Sequence, residues 1–224
     1  MKKNILYTLL FCSFLLAGCE YDNFDEPKAT LSGKVVYGDK AMGVRATGLE
    51  LELWQDGYDK RVSIPVYIAH DGSYSVKLFN GEYKLVRKAG APWEAQLNDT
   101  VIVNVKGNTE QNVPVNPYFI INNERFQKGN NAINASFTIE RIVAAAQVAE
   151  VRVYLSKYIL TDQNKYEHAV NVDAGSITFG QEKSVSVSLP DNLVNESSLF
   201  VRVGVRSTVS NEFYYTQVQK VEMK

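Results

Sequence analysis

Cysteine and histidine are nearly missing from this chain, with two of each in 224 residues. Zinc sites and histidine-based triads need several such groups converging, and His70 and His168 sit far apart, neither in an HExxH nor a Cys-His pattern. Each reads as a solvated loop histidine. There is no G-x-S-x-G elbow, no Walker loop and no G-x-G-x-x-G, so no cofactor is expected. Beyond the first eighteen residues no apolar run is long enough to span a bilayer, and no internal repeat or low-complexity tract is visible. An excess of positive charge is also lacking. Without Lys2 and Lys3, the 24 basic residues fall to 22 against 25 acids, a formal charge of −3. Nucleic-acid partners are therefore discounted, because their binding runs on clustered Lys and Arg.

The start of the chain has a definite character. Met1-Lys2-Lys3 precedes an uncharged run from Ile5 to Ala17 and then Gly18-Cys19, the order of a secretory signal that is removed from the mature protein. Cys12 lies inside that signal, so Cys19 is the only thiol left and no disulfide can form within the chain. Packed cores alone must hold about two hundred residues together, as one or two domains. The stretch "LAGC" (16–19) resembles the lipobox of bacterial lipoproteins, which implies acylation of Cys19 and anchorage in lipid. Each buried acyl methylene contributes about 0.8 kcal/mol, so several chains hold firmly. The acids that follow (Glu20, Asp22, Asp25, Glu26) resemble the signal by which Bacteroidota send lipoproteins to the outer face of the outer membrane. They also suit a solvated tether.

After Ala29 nearly every segment alternates with period two between turn residues. The runs at 30–38, 49–54, 73–79, 82–88 and 100–107 read as strands, as do those at 134–143, 150–157, 183–190, 199–207 and 212–223. Asp71-Gly72 and Asn80-Gly81 are placed at hairpin distance between such runs. Ile139, Ile142, Val143, Ala146 and Ala149 fall at helical spacing, so a short helix of at most two turns is expected there. Prolines 114 and 117 mark a boundary. The expectation is an all-β chain with a signal peptide at 1–18, an acidic tether at 19–27 and β-sandwich domains at 28–115 and 116–224.

The first sandwich resembles the carboxypeptidase-regulatory or transthyretin-like fold, through Gly33, Val35, Asp71, Gly72, Tyr74, Leu78, Gly81, Tyr83 and Leu85. The second resembles a fibronectin type III or immunoglobulin-like sandwich without its disulfide. Together "FDEPKATLSGKVV", "DGSYSVKLFNGEYKLV", "NDTVIVNVKG" and "VPVNPYFII" resemble two-domain Bacteroidota outer-membrane lipoproteins of unknown function, often encoded with Sus-type glycan-import systems. That resemblance implies surface exposure and a part in polysaccharide capture, with no catalytic residues to carry over.

Aromatic residues are the most informative side chains. Leu49, Leu51 and Leu53 share one face, so Trp54 falls with Glu50 and Glu52 towards water. Trp93 lies in a loop after "RKAGAP". An indole can stack on the C–H face of a sugar while nearby polar groups bond its hydroxyls, so Trp54, Tyr58, Trp93, Glu94 and Asn98 form a candidate platform. The alternative is that either indole closes over the core with its N–H on a backbone carbonyl. Tyr154, Tyr158 and Tyr166 form a second cluster, Tyr154 facing away from Val151, Val153 and Leu155 onto an exposed sheet face. Of the adjacent Tyr214 and Tyr215, at least one should be core. Asp162, Asn164 and Glu167 sit in an exposed hairpin loop without the ligand density of a calcium site. Two carboxylates suffice for glycoside hydrolysis, but acids such as Glu50 and Glu52 alternate with apolar residues as solubilising charge does, and no enzymatic role is expected.

The leading functional expectation is thus a non-catalytic surface lipoprotein that captures or presents glycan. A docking subunit for a Sus-type transporter or glycan-binding lipoprotein is a second reading, with the two tryptophans buried in that contact. A fimbrial subunit or anchor is a third. The arginine needed early in such pilins is missing before Arg45.

Overall fold

Alternating apolar residues bury one face of each strand and leave the other to solvent, which favours two sheets packed face to face. The computed structural model describes residues 25–57, 59–95 and 100–224. The signal segment, Cys19, Tyr58 and Asn98 lie outside these described residues. The described chain is all-β, with no α-helix and one short 3₁₀ turn at Ala174–Ser176. No helix among the described residues is long and apolar enough to cross a membrane.

In the first domain one sheet is built on β1 (Ala29–Tyr37), flanked by β2 (Lys40–Ala41) and β5 (Ser73–Leu78). Two short strands, β8 (Asn108–Glu110) and β9 (Val113–Pro114), add to β1 in parallel. The facing sheet runs β4 (Ile64–Tyr67), β3 (Glu50–Trp54), β6 (Gly81–Arg87), β7 (Val101–Val105). Leu31, Val35, Leu51, Leu53, Val66, Tyr83 and Leu85 fill the space between.

The second domain pairs β10 (Phe119–Lys128), β11 (Ala132–Arg141) and β14 (Glu182–Ser188) in one sheet. The other runs β13 (His168–Val172), β12 (Val148–Ser156), β15 (Ser198–Ser207), β16 (Phe213–Tyr215), with β17 (Gln219–Glu222) also on β15.

Two local expectations are corrected. The span 139–149 is not helical: Ile139 and Arg141 finish β11, a turn closed by Ala146 N–H to the Val143 carbonyl (2.9 Å) follows, and β12 begins at Val148. Sheet pairing of both flanks overrides the alanine propensity. Neither Asp71-Gly72 nor Asn80-Gly81 joins a hairpin of paired strands, because β4 pairs with β3 and β5 with β1, whereas β6 pairs with β3 and β7. Asn80-Gly81 is a corner between sheets. Gly81 is not among the glycines with positive φ, and the Asn80 side chain instead accepts the Gly107 N–H at 2.8 Å.

The two domains share one continuous buried apolar cluster. The proline-marked segment between them is itself paired. Val113–Pro114 lies beside β1, and Tyr118 N–H donates to the Pro92 carbonyl (3.2 Å) while Glu94 N–H donates to that of Asn116 (2.9 Å). Across the junction, Tyr215 N–H donates to the Gly43 carbonyl at 2.9 Å, forming a short bridge. A Cβ on Gly43 would stand 2.3 Å from the Tyr215 carbonyl oxygen, so only glycine permits this approach. Arg45 grips Glu212 with two bonds of 2.6 and 2.8 Å. That hydrogen bonding raises the Arg45 pKa further, against a smaller opposing effect of burial.

Candidate functional site

The predicted tryptophan platform does not assemble. Trp54 ends β3 opposite Lys84, near the start of β6, whereas Trp93 follows the other end of β6 and bridges to Pro117. The two indoles therefore occupy opposite ends of the first domain. Trp54 keeps its expected face: it is half-buried, and its Nε1–H donates to the Glu52 carboxylate at 3.2 Å. Trp93 is only 3% exposed, packed in the core, and its indole N–H has no hydrogen-bond partner among the described residues. The expected carbonyl partner is not there. Glu94 is half-buried and accepts from the Asn116 carboxamide at 2.5 Å, so it fastens the inter-domain segment. Trp93 and Glu94 are junction residues because the segment after β6 is drawn under the second domain, a long-range contact that local alternation cannot report.

A better-formed aromatic surface lies in the second domain, on the loop 157–167 between β12 and β13. Its root is fixed by a buried arginine. Arg202 is fully buried and donates from Nη1 to the carbonyls of Thr161 (3.0 Å) and Val44 (3.3 Å), and from Nε and Nη2 to that of Thr216 (3.2 and 3.0 Å). Its guanidinium carbon lies 4.2 Å from the centre of the Tyr215 ring. Burial lowers its pKa to about 10, opposed by the nearby Tyr215 and Asp162, so it stays cationic at neutral pH. Arg202 thus ties the loop, the second domain and the first domain at a single point.

The turn Asp162–Lys165 is locked in the same way. Asp162 is buried, its Oδ1 accepts the N–H groups of Asn164 (2.8 Å) and Lys165 (3.1 Å), and its Oδ2 accepts that of Ala46 (3.3 Å). This corrects the expectation of an exposed loop aspartate. Its short side chain caps the turn and joins it to the first domain. The Tyr215 hydroxyl accepts from Gln163 N–H at 2.9 Å. Among the described residues no cluster of three or more His, Cys, Asp or Glu could hold a metal ion.

From this fixed root the loop turns apolar side chains outward. Tyr158 is 68% exposed and Tyr166 46%, on the outgoing and returning limbs, with Ile159 and Leu160 also exposed. Tyr166 stands edge-on to Tyr154, 5.8 Å between ring centres, so its orientation is set from below. Polar groups lie beside them: Asn192 donates to Glu167 (3.4 Å), and Lys157 pairs with Glu196 (2.9 Å). Such a surface can stack on apolar faces and bond hydroxyls at its rim.

Tyr154 itself is buried, contrary to the expected exposed sheet face. Tyr154, Phe213 and Tyr215 form a second small core, and burial lifts the Tyr154 phenol to about 12. Tyr214 and Tyr215 are both buried, Tyr214 in the main core and Tyr215 in this aromatic cluster. Adjacent strand residues face opposite sides, and here both sides are covered. His70 is half-buried rather than solvated, and burial, then the Arg202 charge, lower its pKa.

A tandem β-sandwich protein that presents an anchored aromatic loop is the class these observations define. The chain belongs to the DUF3823 family: residues 29–116 match "Protein of unknown function (DUF3823) N-terminal domain" and residues 119–220 match "Domain of unknown function (DUF3823_C)". It is similar to the crystal structure of a DUF3823 family protein from Bacteroides ovatus, with 49% identity and a TM-score of 0.84 over 88% of this chain and 100% of that one. A DUF3823 family protein from Parabacteroides merdae is 35% identical, with a TM-score of 0.81 and the same coverage. A Bacteroides uniformis protein named as a conjectural carbohydrate binding protein shares the fold at 18% identity and a TM-score of 0.72, over 88% of this chain and 99% of that one. No curated protein matches the chain.

Proposed function

We propose that this protein is a non-catalytic, lipid-anchored surface protein that captures glycan through the loop 157–167 for an outer-membrane uptake system. The observation that carries the reading is the exposure of Tyr158 and Tyr166 on a loop whose root is held by Arg202, Asp162 and Tyr215. Tyrosine side chains have only two side-chain torsions to fix, so they lose little conformational freedom when a sugar ring stacks on them. Asn164, Glu167 and Asn192 stand ready for hydroxyls. The conjectural carbohydrate-binding role named for the B. uniformis protein agrees with this reading. The lipobox "LAGC" and the acids behind it support anchorage at Cys19 and an outward-facing address.

Native affinity electrophoresis through gels holding plant, host and microbial polysaccharides tests the binding. Retardation by at least one glycan is expected, and its loss in Tyr158→Ala/Tyr166→Ala with an unchanged melting curve. Each stacked ring contributes about 0.5–1.5 kcal/mol, so the double variant should weaken binding by roughly tenfold or more. Trp93→Ala is unsuitable as a probe because it empties a core position. The anchor has its own test. In cells the wild type is expected in the membrane fraction with acyl mass on Cys19, and Cys19→Ser in the soluble fraction. Wild-type protein without acyl mass would remove the lipoprotein reading.

Ile159 and Leu160 favour a second reading, because two exposed aliphatic side chains beside the tyrosines suit a protein contact better than a sugar. Uniform mobility across the polysaccharide panel, with the loop protected from hydrogen exchange in an isolated import complex, would support that docking role instead.

A further inference from the structure

The first domain has two ends of opposite character. Lys40–Ala46, Asp71 and Gly90–Glu94 meet the second domain or the segment leading into it at one end. At the other end the chain enters beside Leu78, the partner of Ala29, and Gln55, Asp59, Lys60 and Val62, the Phe79-Asn80 corner and Gly107 gather around it. There the mouth between the two sheets opens as a groove of about 620 Å³. Pro27, Val62, Ile64 and Phe79 line it, Val62 being 70% and Phe79 53% exposed. Lys60 and Lys77 stand at its rim beside Asp59, with the exposed Asp25 and Glu26 just before Pro27.

We infer that this groove end is a lipid-facing seat: it rests on the membrane surface, its apolar side chains meeting the acyl boundary and its lysines the anionic headgroups. The inference rests on the reading of Cys19 as the anchor for its orientation. Pro27, a wall of the groove, follows Cys19 by eight residues, which at about 3.3–3.6 Å per residue reach no further than roughly 28 Å. A tether of that length keeps the patch at an effective concentration near the bilayer on the order of millimolar, so even a weak contact is populated. Lysines on flexible stems can place their charge in the headgroups while their methylenes cover apolar surface. The opposite end is taken up by the second domain, whose aromatic loop is then carried away from the membrane.

The test uses the full mature chain, coupled through the Cys19 thiol to a maleimide lipid in phosphatidylethanolamine and phosphatidylglycerol vesicles, with or without brominated acyl chains. The variant Phe79→Trp, made with Trp54→Phe, sets a fluorescent reporter in the groove, the remaining Trp93 being buried at the other end of the domain. Its emission is expected to be quenched in the brominated vesicles and to recover when Val62→Ser and Ile64→Ser are added. Equal emission in both kinds of vesicle would overturn the proposal, and so would quenching that survives the two serines. Because the tether is imposed chemically, the result stands apart from whether cells acylate Cys19. A groove occupied by a protein partner instead would give the unquenched result.

Discussion

Arg202→Met is expected to lower the unfolding free energy by about 3 kcal/mol, because each buried carbonyl left without a donor costs about 1–3 kcal/mol. The guanidinium serves the carbonyls of Thr161, Thr216 and Val44, which lie on the loop, the second domain and the first domain. Methionine fills much of the volume but bonds none of them, so buried oxygens are left without donors. Arg202→Lys keeps the charge on a compact head that cannot span the same three sites, and an intermediate loss follows. Urea unfolding followed by far-UV circular dichroism measures both, and the methionine variant should also separate the single transition into two as the domains uncouple. A methionine variant within about 1 kcal/mol of wild type would remove the carbonyl-cage account. Loop exposure should respond as well, since Thr161 is held from below by Arg202. Hydrogen exchange at Gln163–Lys165 is expected to accelerate more than in the β10–β11 sheet.

Gly33→Ala carries the second large effect. The position lies mid-strand in β1 between two neighbours, and a Cβ there would stand 2.0 Å from the Gln111 carbonyl oxygen and 3.1 Å from the Tyr74 hydroxyl. The first contact is backbone, so relief requires moving the segment that follows β8. Tyr74 donates to that same carbonyl and would be displaced with it. The expected loss is about 1–3 kcal/mol or more, the range for overpacking a fitted site. Gly38→Ala is the control. It has positive φ but open space around it, so only backbone strain of about 1–2 kcal/mol applies. Thermal melts should rank Gly33→Ala below Gly38→Ala, and the reverse order would mean that β9 and the strand before it yield easily.

Strands with clean alternation were legible from the sequence, as β3, β6, β12 and β15 show, because burial on one face imposes period two on the residues themselves. β10 was not, although it is one of the longest strands. Its "NNERFQK" half is polar, Asn123 has positive φ, and the pairing with β11 shifts between Asn122 and Arg125. A bulge breaks the period on which the reading depends. The Asn80-Gly81 corner failed for a related reason. Dipeptide chemistry reports that the chain turns, whereas the sheet that each flank joins depends on partners distant in sequence.

The candidate site divides in the same way. The orientation of Trp54 beside Glu52 followed from strand periodicity. The burial of Trp93 and Tyr154 did not, because each is covered by segments far away in sequence, Trp93 by the region of Pro117 and Tyr154 by Phe213 and Tyr215. Arg202 gave no local signal of burial: in "LFVRVGVRS" it takes the strand face of Phe200 and Gly204, opposite the valines.

By itself the sequence determined the all-β class, the inward faces of most strands, a supply of only two cysteines and two histidines, and the glycine at position 33. Each of these is a property of single residues or of neighbours along the chain. Only the tertiary structure decided which aromatics meet solvent, that Arg202 and Asp162 are buried, and that the two domains are joined through Gly43, Arg45 and Tyr215. Burial is the sum of what packs on both faces of a sheet, and that packing comes from segments distant in sequence.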